Sequence, residues 1–488
     1  MTQRLLGTAM IATAVVALSL SGLAQAGRPF TTAFPKEEFA GRRLKVADAI
    51  GSEAVALVQA AATVHSSAMF RQSNEFFYLT GVGVPQAMLL IDGATKKSTL
   101  YLPKQEASRA AVEGALLSAD DPASVVVITG IDEVKPTEAL QADLAARNKD
   151  GRADLFVPFQ PAEGSAESRD GATRRNNDAA ADPWDGRISR EAQLRMLLTM
   201  RAGNYVTRNL SPILDEMRTT KSPVEIAVIE RATRIGGEAI MEAMRSTAPG
   251  VAEQELDALA RFVFVRHGAQ GEAYRAIVAS GGNAWFAHHR ASDKIMADGE
   301  LVLMDYCPDL HYYRCDVTRQ WPVNGTFSPV QRELYTFYLG VYEAILYSIK
   351  PHATAQAILQ EAVRKMDVMM AKMTFSKPLY ESAAKQFVDG YRRRAQDTTG
   401  RGANLGHAVG MSTHDMGGGS GVMRPGLVFT IEPQFRIPEE RIFLRLEDMI
   451  VITETEARII SDFVPRSIAG VEKLIEEEGL LQKYGKIR

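Results

Sequence analysis

Four acidic residues and one histidine in the second half of this 488-residue chain have the types and the order of a metal site. Each acidic residue follows or lies within an apolar run, where an unpaired carboxylate is costly to bury. Such a group would take up a proton unless a positive charge lay beside it. The five residues are Asp305, Asp316, His407, Glu432 and Glu447. Their pattern therefore predicts an interior that binds cations.

Asp305 and Asp316 flank a predicted β-hairpin. If they lie directly opposite each other, both carboxylates share one face, with Cβ atoms about 5 Å apart. Two such carboxylates would repel each other, and a divalent cation between them would remove that penalty. The same register places the chain's two cysteines, Cys307 and Cys315, on opposite faces. A disulfide between them would therefore need a bulge or a shifted register.

The histidine and one further acidic residue lie in segments that could reach the same interior. His407 lies between Gly406 and Gly410, in a segment suited to close backbone packing around a ligand. Glu432 ends the β-like run VFTIE and is followed by a proline. Both segments predict side chains held at the end of a short extended run.

The last acidic position contains two neighbouring carboxylates, Glu447 and Asp448, in the run FLRLEDMIVIT. Adjacent strand residues face opposite sides, so both cannot face the same site. We select Glu447 because it shares a face with Arg445, which could orient a ligating carboxylate.

The elements that must position these residues form a second domain, predicted at 219–470. A serine–proline pair at 222–223 predicts the start of its first long helix. The preceding domain, 27–218, alternates apolar runs with helical patterns and is predicted to be an α/β layer. Within it, about 160–188 is rich in Gly, Ser, Asn, Asp and Arg and predicts a surface insertion or mobile loop. Residues 471–488 are predicted to form a short charged tail.

The N-terminus is typical of a secretory signal peptide, predicted at residues 1–26. It contains Arg4, an apolar stretch and an Ala-Gln-Ala sequence at 24–26. We expect an exported protein, periplasmic or secreted, with an uncleaved anchor as the alternative. Later segments are not apolar enough to cross a bilayer, so we expect no stable membrane anchor. The net charge of -3 argues against a nucleic-acid partner.

The five residues and their flanking motifs resemble those of the pita-bread metallopeptidases, in the branch that contains aminopeptidase P and prolidase. The supporting motifs are Asp-Val-Thr-Arg at 316–319, Lys-Ser-Pro-x-Glu at 221–225 and RQSNEFFYLTG at 71–81. The resemblance covers most of the mature chain. It implies an α+β/α/β fold, in which a pita-bread (creatinase/aminopeptidase) catalytic domain follows a smaller creatinase-like α/β domain.

The resemblance also implies a role for each ligand. Asp305 would bind one metal ion, His407 and Glu432 would bind the other, and Asp316 and Glu447 would bridge them. The two divalent cations would be Mn²⁺, with Co²⁺, Fe²⁺ or Zn²⁺ as alternatives. A hydroxide held between them would be the nucleophile. Two further residues would support the ligands or the substrate: Thr318 and Arg445.

Catalytic groups beyond the metal ligands follow from the same resemblance. His288 and His414 would stabilise the tetrahedral intermediate and the scissile peptide group. Glu432 would also carry a proton to the leaving amine. His289 is the alternative to His288, and a buried structural role is the alternative for each histidine. Ala403 stands where related aminopeptidases often have a histidine, which leaves the substrate less constrained than the chemistry.

The implied activity is hydrolysis of the Xaa-Pro bond at the N-terminus of proline-containing peptides. Four alternatives stay open: a prolidase that cuts only dipeptides, a broader aminopeptidase, a metal-free creatinase-like amidinohydrolase, and a non-catalytic peptide-binding protein on the same fold. Relatives commonly form dimers or tetramers, so a homo-oligomer is expected.

Overall fold

The computed structural model describes most of the chain, and the predicted signal peptide at 1–26 lies outside the described residues. The described ranges are 30–64, 69–148, 153–164, 167–202, 205–397 and 402–484. The chain divides into two compact units: Met1–Gly164 with Arg169–Leu214, and Ser165–Ser168 with Asp215–Arg488. Every helix among the described residues is too short or too polar to cross a lipid bilayer.

The first unit is built on a mixed six-stranded sheet in the order β4-β3-β2-β1-β5-β6. Its strands are β1 (Ala54–Gln59), β2 (Met88–Asp92), β3 (Ser98–Leu102), β4 (Glu133–Pro136), β5 (Asp154–Val157) and β6 (Val206–Asn209). Its helices are α1 (Lys36–Ile50), α2 (Asn74–Thr80), α3 (Ala107–Glu113), α4 (Pro122–Thr129), α5 (Leu140–Arg147), α6 (Arg169–Ala181) and α7 (Arg190–Arg201). Strand β1 pairs antiparallel with β2 and parallel with β5, and its residues are almost all buried. The α/β layer expected for this region is therefore present.

The segment at about 160–188, expected to be a surface insertion or mobile loop, contains the 13-residue helix α6. Most of this helix faces solvent, but Arg169 at its start is buried. Arg169 forms ion pairs with Glu75, at 2.8 Å, and with Glu163, at 3.2 Å. The local composition does not reveal this helix because one of its anchoring partners, Glu75, lies far away in the sequence.

The second unit contains several small antiparallel sheets surrounded by helices. Helix α8 (Ser211–Thr219) crosses the division between the units and contains the expected domain boundary at 218–219. The later helices are α9 (Pro223–Ser246), α10 (Glu253–Arg266), α11 (Pro329–Leu346), α12 (Ala355–Met370), α13 (Pro378–Gln396), α14 (Ile468–Ile475) and α15 (Leu480–Lys483).

The strands of this unit hold the predicted site residues. Those before α11 are β7 (Gly271–Glu272), β8 (Ile277–Ser280), β9 (Leu301–Asp305), β10 (Pro308–Leu310), β11 (Tyr313–Arg314) and β12 (Thr318–Pro322). Those after α13 are β13 (Asn404–Ala408), β14 (Asp415–Ser420), β15 (Val428–Ile431), β16 (Gln434–Ile437), β17 (Ile442–Arg445), β18 (Asp448–Ile452) and β19 (Ala457–Ile459). The sheet orders are β12-β9-β8, β11-β10-β7, β14-β13-β15-β18-β19 and β16-β17.

The hairpin that carries the two aspartates has a different register from the expected one. Asp305 pairs with Thr318, so direct opposition of Asp305 and Asp316 is wrong. The turn lies at His311 and Tyr312, whose φ angles are 51° and 71°. Two consecutive residues with positive φ define a two-residue hairpin turn, and the turn position sets the register. The sequence alone does not show which two residues adopt this conformation.

Helix α9 begins where predicted and packs closely against two different segments. Ser222 and Glu225 form a reciprocal capping box at its start. In its middle, a Cβ on Gly236 would lie 3.0 Å from the sulfur of Cys307, and a Cβ on Gly237 would overlap Val464 at 2.6 Å. The paired glycines therefore allow a close approach of the chain on both sides of the helix.

Candidate metal centre

Four of the five predicted ligands meet around the imidazole of His407. One ligand atom each from Asp316, His407 and Glu447 lies within 4.8 Å of the other two. His407 Nε2 is 3.6 Å from Asp316 Oδ2, 3.7 Å from Glu447 Oε1 and 3.8 Å from Glu432 Oε1. These separations are too long for direct ion pairs of ideal geometry, and they leave room for a cation between the donors.

Asp305 joins this cluster through two bridging side chains. Tyr274 Oη lies 2.6 Å from Oδ1 of both Asp305 and Asp316. Arg445 contacts Asp305 through Nη2, and its Nη1 donates to Glu432 Oε2 at 3.1 Å. Arg445 thus orients Asp305 and Glu432. The sequence predicts instead that it orients Glu447, with which it would share a strand face. Direct contacts or shared partners therefore connect all five predicted ligands.

The ligands stand at the ends of strands or just beyond them. Asp305 is the last residue of β9, and Asp316 lies between β11 and β12. Glu432 directly follows β15, and Glu447 lies between β17 and β18. Side chains at strand ends leave the regular ladder, which lets carboxylates from several strands converge on one point.

His407 is aimed into the site by an irregularity in β13. It pairs with Gly418 of β14, and the register shifts on both sides of this pair, as in a β-bulge. The preceding Gly406 has no room for a Cβ, which would overlap the carbonyl oxygen of Thr430. His407 Nδ1 lies 3.3 Å from the carbonyl oxygen of Ala408. Because a carbonyl only accepts, Nδ1 carries the hydrogen and Nε2 presents its lone pair to the carboxylates.

Glu447 is held by two hydroxyl groups and by its own backbone. Thr318 Oγ1 donates to Oε2 at 2.7 Å, and Thr430 Oγ1 donates to Oε1 at 3.1 Å. The backbone N–H of Glu447 donates to the Thr318 carbonyl at 3.1 Å. Thr318 therefore contacts the predicted ligand Glu447 directly.

The neighbouring carboxylate, Asp448, faces away from the site. Its Oδ1 accepts from Arg319 Nη2 and from Ser461 Oγ, both at 2.6 Å. Its Oδ2 accepts from Tyr342 Oη at 2.8 Å. The structure thus places Glu447, and not Asp448, with the other predicted ligands.

The charge balance of the site fits divalent cations. Burial raises the pKa of Asp316 well above its usual range, and the carboxylates of Glu447 and Asp305 raise it further. Burial also raises the pKa of Glu447, with further contributions from Glu432 and Asp305. Within the described residues, Arg445 is the one arginine or lysine that forms ion pairs with these carboxylates. Four carboxylates, one imidazole and a single compensating cation form a donor set that suits two hard or borderline divalent metals.

The predicted catalytic histidines occupy different surroundings. The His414 ring lies 4.1 Å from the His407 ring, and its side chain is exposed. His288 is exposed and, among the described residues, forms no hydrogen bond or ion pair with the five ligands. His289 turns towards the buried Glu253, at 3.3 Å. His288 is therefore accessible to a ligand, whereas the neighbouring His289 contacts Glu253.

One residue of the cluster, Tyr274, is absent from the sequence-based prediction. It lies just before β8, whose residue Ile277 pairs with Asp305. A lone tyrosine ahead of an apolar run is not distinctive. The pairing of β8 with β9 is the only signal that could have identified it, and that pairing is a long-range contact.

Comparison with known proteins assigns both parts of the chain. Residues 227–454 match metallopeptidase family M24, and residues 39–157 match the aminopeptidase P N-terminal domain. The Xaa-Pro aminopeptidase of Escherichia coli (strain K12) is 28% identical over 476 residues, covering 90% of this chain and 98% of that protein. The Xaa-Pro aminopeptidase of Haemophilus influenzae is 26% identical over 464 residues, covering 90% of this chain and 97% of that protein.

A solved structure has the same architecture. The low-pH form of aminopeptidase P from E. coli superposes with a TM-score of 0.70 at 26% identity, covering 91% of this chain and 98% of that chain. The expected fold, a pita-bread domain after a smaller α/β domain, is confirmed. The chain thus combines a segment that matches the aminopeptidase P N-terminal domain, at 39–157, with a later segment that matches metallopeptidase family M24, at 227–454.

Proposed function

We propose that this chain is a metalloaminopeptidase that hydrolyses the Xaa-Pro bond at the N-terminus of peptides and depends on two divalent cations. One observation carries the proposal: ligand atoms of Asp316, His407 and Glu447 lie within 4.8 Å of one another. Glu432 lies 3.8 Å from His407, and Tyr274 connects Asp305 to Asp316. The relatives named Xaa-Pro aminopeptidase support the substrate class.

The residues that would hold the cations divide into terminal and bridging ligands. Asp305 would hold one cation, His407 and Glu432 the other, and Asp316 and Glu447 would lie between the two. When bound, the cations would lower the pKa of water and polarise the scissile carbonyl. The oxygen donors with a single imidazole favour Mn²⁺.

Glu432 is the carboxylate best placed to move a proton. Its side chain is 26% exposed, whereas that of Glu447 is 1% exposed. Arg445 holds Oε2 of Glu432, which leaves Oε1 directed towards His407. A carboxylate that is fixed at one oxygen and accessible at the other can accept a proton from the nucleophile and donate it to the leaving amine.

The exposed histidines would bind the substrate. The His414 ring lies beside the His407 ring at an angle of 47°, so a peptide carbonyl that approaches the ligands would meet the His414 ring. His288 is accessible on a segment that follows a short 3₁₀ helix at Gly281–Trp285. Both imidazoles could donate hydrogen bonds to the oxygen that gains charge in the tetrahedral intermediate.

The test is metal analysis followed by peptide cleavage. The purified protein, loaded with Mn²⁺, should cleave Xaa-Pro-Xaa tripeptides and spare matched peptides that have alanine in place of proline. Asp316→Asn should abolish cleavage because it removes a bridging ligand. Cleavage of dipeptides alone would indicate a prolidase, and cleavage of the alanine peptides would indicate a broader aminopeptidase. A metal-loaded protein that cleaves neither kind would point to a peptide-binding protein.

We further propose that the protein is exported and assembles as a homo-oligomer. The charged and apolar segments before the Ala-Gln-Ala sequence at 24–26 support export. N-terminal sequencing of protein recovered from the periplasm should begin at Gly27, and material that retains residues 1–26 would contradict this. Light scattering coupled to gel filtration tests the second statement, since a mass of one chain would contradict it.

A further inference from the structure

The chain's two cysteines lie directly beside two of the predicted metal ligands. Cys307 is two residues after Asp305, and Cys315 is one residue before Asp316. Both are fully buried and carry free thiols in the structure. The metalloaminopeptidase chemistry described above uses neither thiol.

The two sulfur atoms meet under helix α9. A Cβ on Gly236 would lie 3.0 Å from Cys307 Sγ and 3.1 Å from Cys315 Sγ, so both sulfurs border the same small space. Two cysteines this close in a rigid, buried setting are neighbours of the kind that a disulfide joins.

An interruption of the hairpin ladder brings the thiols together. Residues pair in register at Asp305 with Thr318 and again at Asp309 with Arg314. Between these pairs, 306–308 and 315–317 form no ladder pairs with each other, and Pro308 pairs instead with Glu272 of β7. In a regular ladder the two cysteines would face opposite sides. Because the backbone leaves the ladder at their level, both side chains can turn towards α9.

We propose that Cys307 and Cys315 form an intrachain disulfide that joins the strands carrying Asp305 and Asp316. The oxidant is a small-molecule disulfide of the glutathione type. The thiolate of Cys315 attacks one sulfur of this disulfide, which forms a mixed disulfide and releases one glutathione thiolate. The thiolate of Cys307 then attacks Cys315 Sγ, forms the Cys307–Cys315 bond and releases the second glutathione. Two protons leave the cysteines, and two electrons reduce the oxidant.

Because both thiols are buried in the folded chain, this exchange occurs before folding is complete. In the folded chain both cysteine side chains are fully buried, so a small-molecule disulfide cannot reach either sulfur. Exchange needs an accessible thiolate, and a buried thiol is therefore inert. The bond therefore forms while the hairpin is still exposed, before it packs under Gly236, and is protected from reduction afterwards.

The experiment compares the full chain made by cell-free translation in a glutathione redox buffer with the chain made in dithiothreitol. Each sample is denatured, its free thiols are alkylated, and it is digested with trypsin without reduction. Trypsin cleaves after Arg314 and so separates the cysteines onto the peptides Ile295–Arg314 and Cys315–Arg319. In the glutathione sample these peptides should appear as one linked species, and in the dithiothreitol sample as two alkylated peptides.

Two controls keep the result decisive. Cys315→Ser should give one alkylated peptide, Ile295–Arg314, under both conditions. A cooperative melting transition identifies folded protein, and the linked wild type should melt about 5 °C higher than the same protein after reduction in denaturant and refolding. Folded wild type from the glutathione buffer that carries two alkylated cysteines would overturn the proposal. If the disulfide-linked wild type melted no higher than Cys315→Ser, the proposal that the bond joins and stabilises the two strands would be overturned.

Discussion

Glu447 and Asp448 are adjacent carboxylates, both buried, and their surroundings differ in the one respect that matters for metal binding. Asp448 faces Arg319, Ser461 and Tyr342, which neutralise its charge and fill its hydrogen-bonding positions. Glu447 faces other carboxylates, and its pKa is raised by burial and by their charge. Burial alone therefore does not identify a metal ligand. What distinguishes Glu447 is that it is buried among other carboxylates, without the arginine partner that Asp448 has.

The largest effect on activity should come from neutralising Glu447, the carboxylate of this pair that faces other carboxylates. Glu447→Gln should lower kcat/KM for an Xaa-Pro-Xaa peptide by roughly 10³-fold, equal to about 4 kcal/mol, because it removes a bridging ligand. The measurement is steady-state hydrolysis at saturating Mn²⁺. Asp448→Asn, assayed below its melting temperature, is the matched control and should retain most of its activity. Equal losses in both variants would remove the distinction between the two carboxylates.

The second effect concerns stability and should reverse the order of the two variants. Asp448→Asn should lower the free energy of unfolding of the metal-free protein by about 3–5 kcal/mol, because it leaves Arg319 buried without its carboxylate. Glu447→Gln should leave that stability unchanged or raise it, because it removes a buried charge repelled by its neighbours. Urea unfolding in EDTA measures both. A metal-free Asp448→Asn protein as stable as the wild type would contradict the role of the Arg319 pair.

A third test replaces mutation with the cation. Mn²⁺ at 100 times the dissociation constant of a site should stabilise the wild type by about 2.7 kcal/mol for each ion bound, since binding to the folded state alone shifts unfolding by mass action. Thermal unfolding in Mn²⁺ and in EDTA measures the difference. In Glu447→Gln the difference should shrink, and in Asp448→Asn it should persist. A wild type that melts at the same temperature with and without Mn²⁺ would mean that the acidic cluster binds no metal.

The smallest effects should come from the hydroxyl groups behind each carboxylate. Thr318→Val removes the donor to Glu447 and should weaken Mn²⁺ binding about tenfold. Ser461→Ala removes a donor to Asp448 and should lower the free energy of unfolding by about 1 kcal/mol without changing Mn²⁺ affinity. Calorimetric titration and urea unfolding separate these outcomes. If Ser461→Ala weakened metal binding as much as Thr318→Val, the two clusters would act as one.

Charges within apolar runs, together with the family resemblance, select five residues as ligands, and the structure places three of these carboxylates within 3.8 Å of His407 Nε2. Strand alternation separates Glu447 from Asp448 with local sequence alone, but the choice between them rests on the face that Glu447 shares with Arg445. In the structure Arg445 contacts Glu432 and Asp305 instead. The partners that decide the outcome could not be predicted. Arg319 and Ser461 lie far from Asp448 in the sequence, and nothing local assigns them to it.

The fold shows the same division between local and long-range information. The α/β layer and the capped start of α9 at Ser222 follow from periodicity and capping residues. The hairpin register does not, because it depends on His311 and Tyr312 both adopting positive φ, a conformation that is uncommon for residues other than glycine. Tyr274 is unpredictable for a similar reason, since its place in the cluster depends on the pairing of β8 with β9.

The glycine pair in α9 has a consequence for how this sequence can diverge. Alanine is ordinarily the better residue inside a helix, by about 1 kcal/mol per position. At Gly236 an added methyl group would press on the sulfurs of Cys307 and Cys315, and at Gly237 it would press on Phe463 and Val464. Substitution at these two buried positions is therefore limited by the volume of the added side chain. A saturation library should tolerate substitution poorly there, although neither glycine touches a ligand.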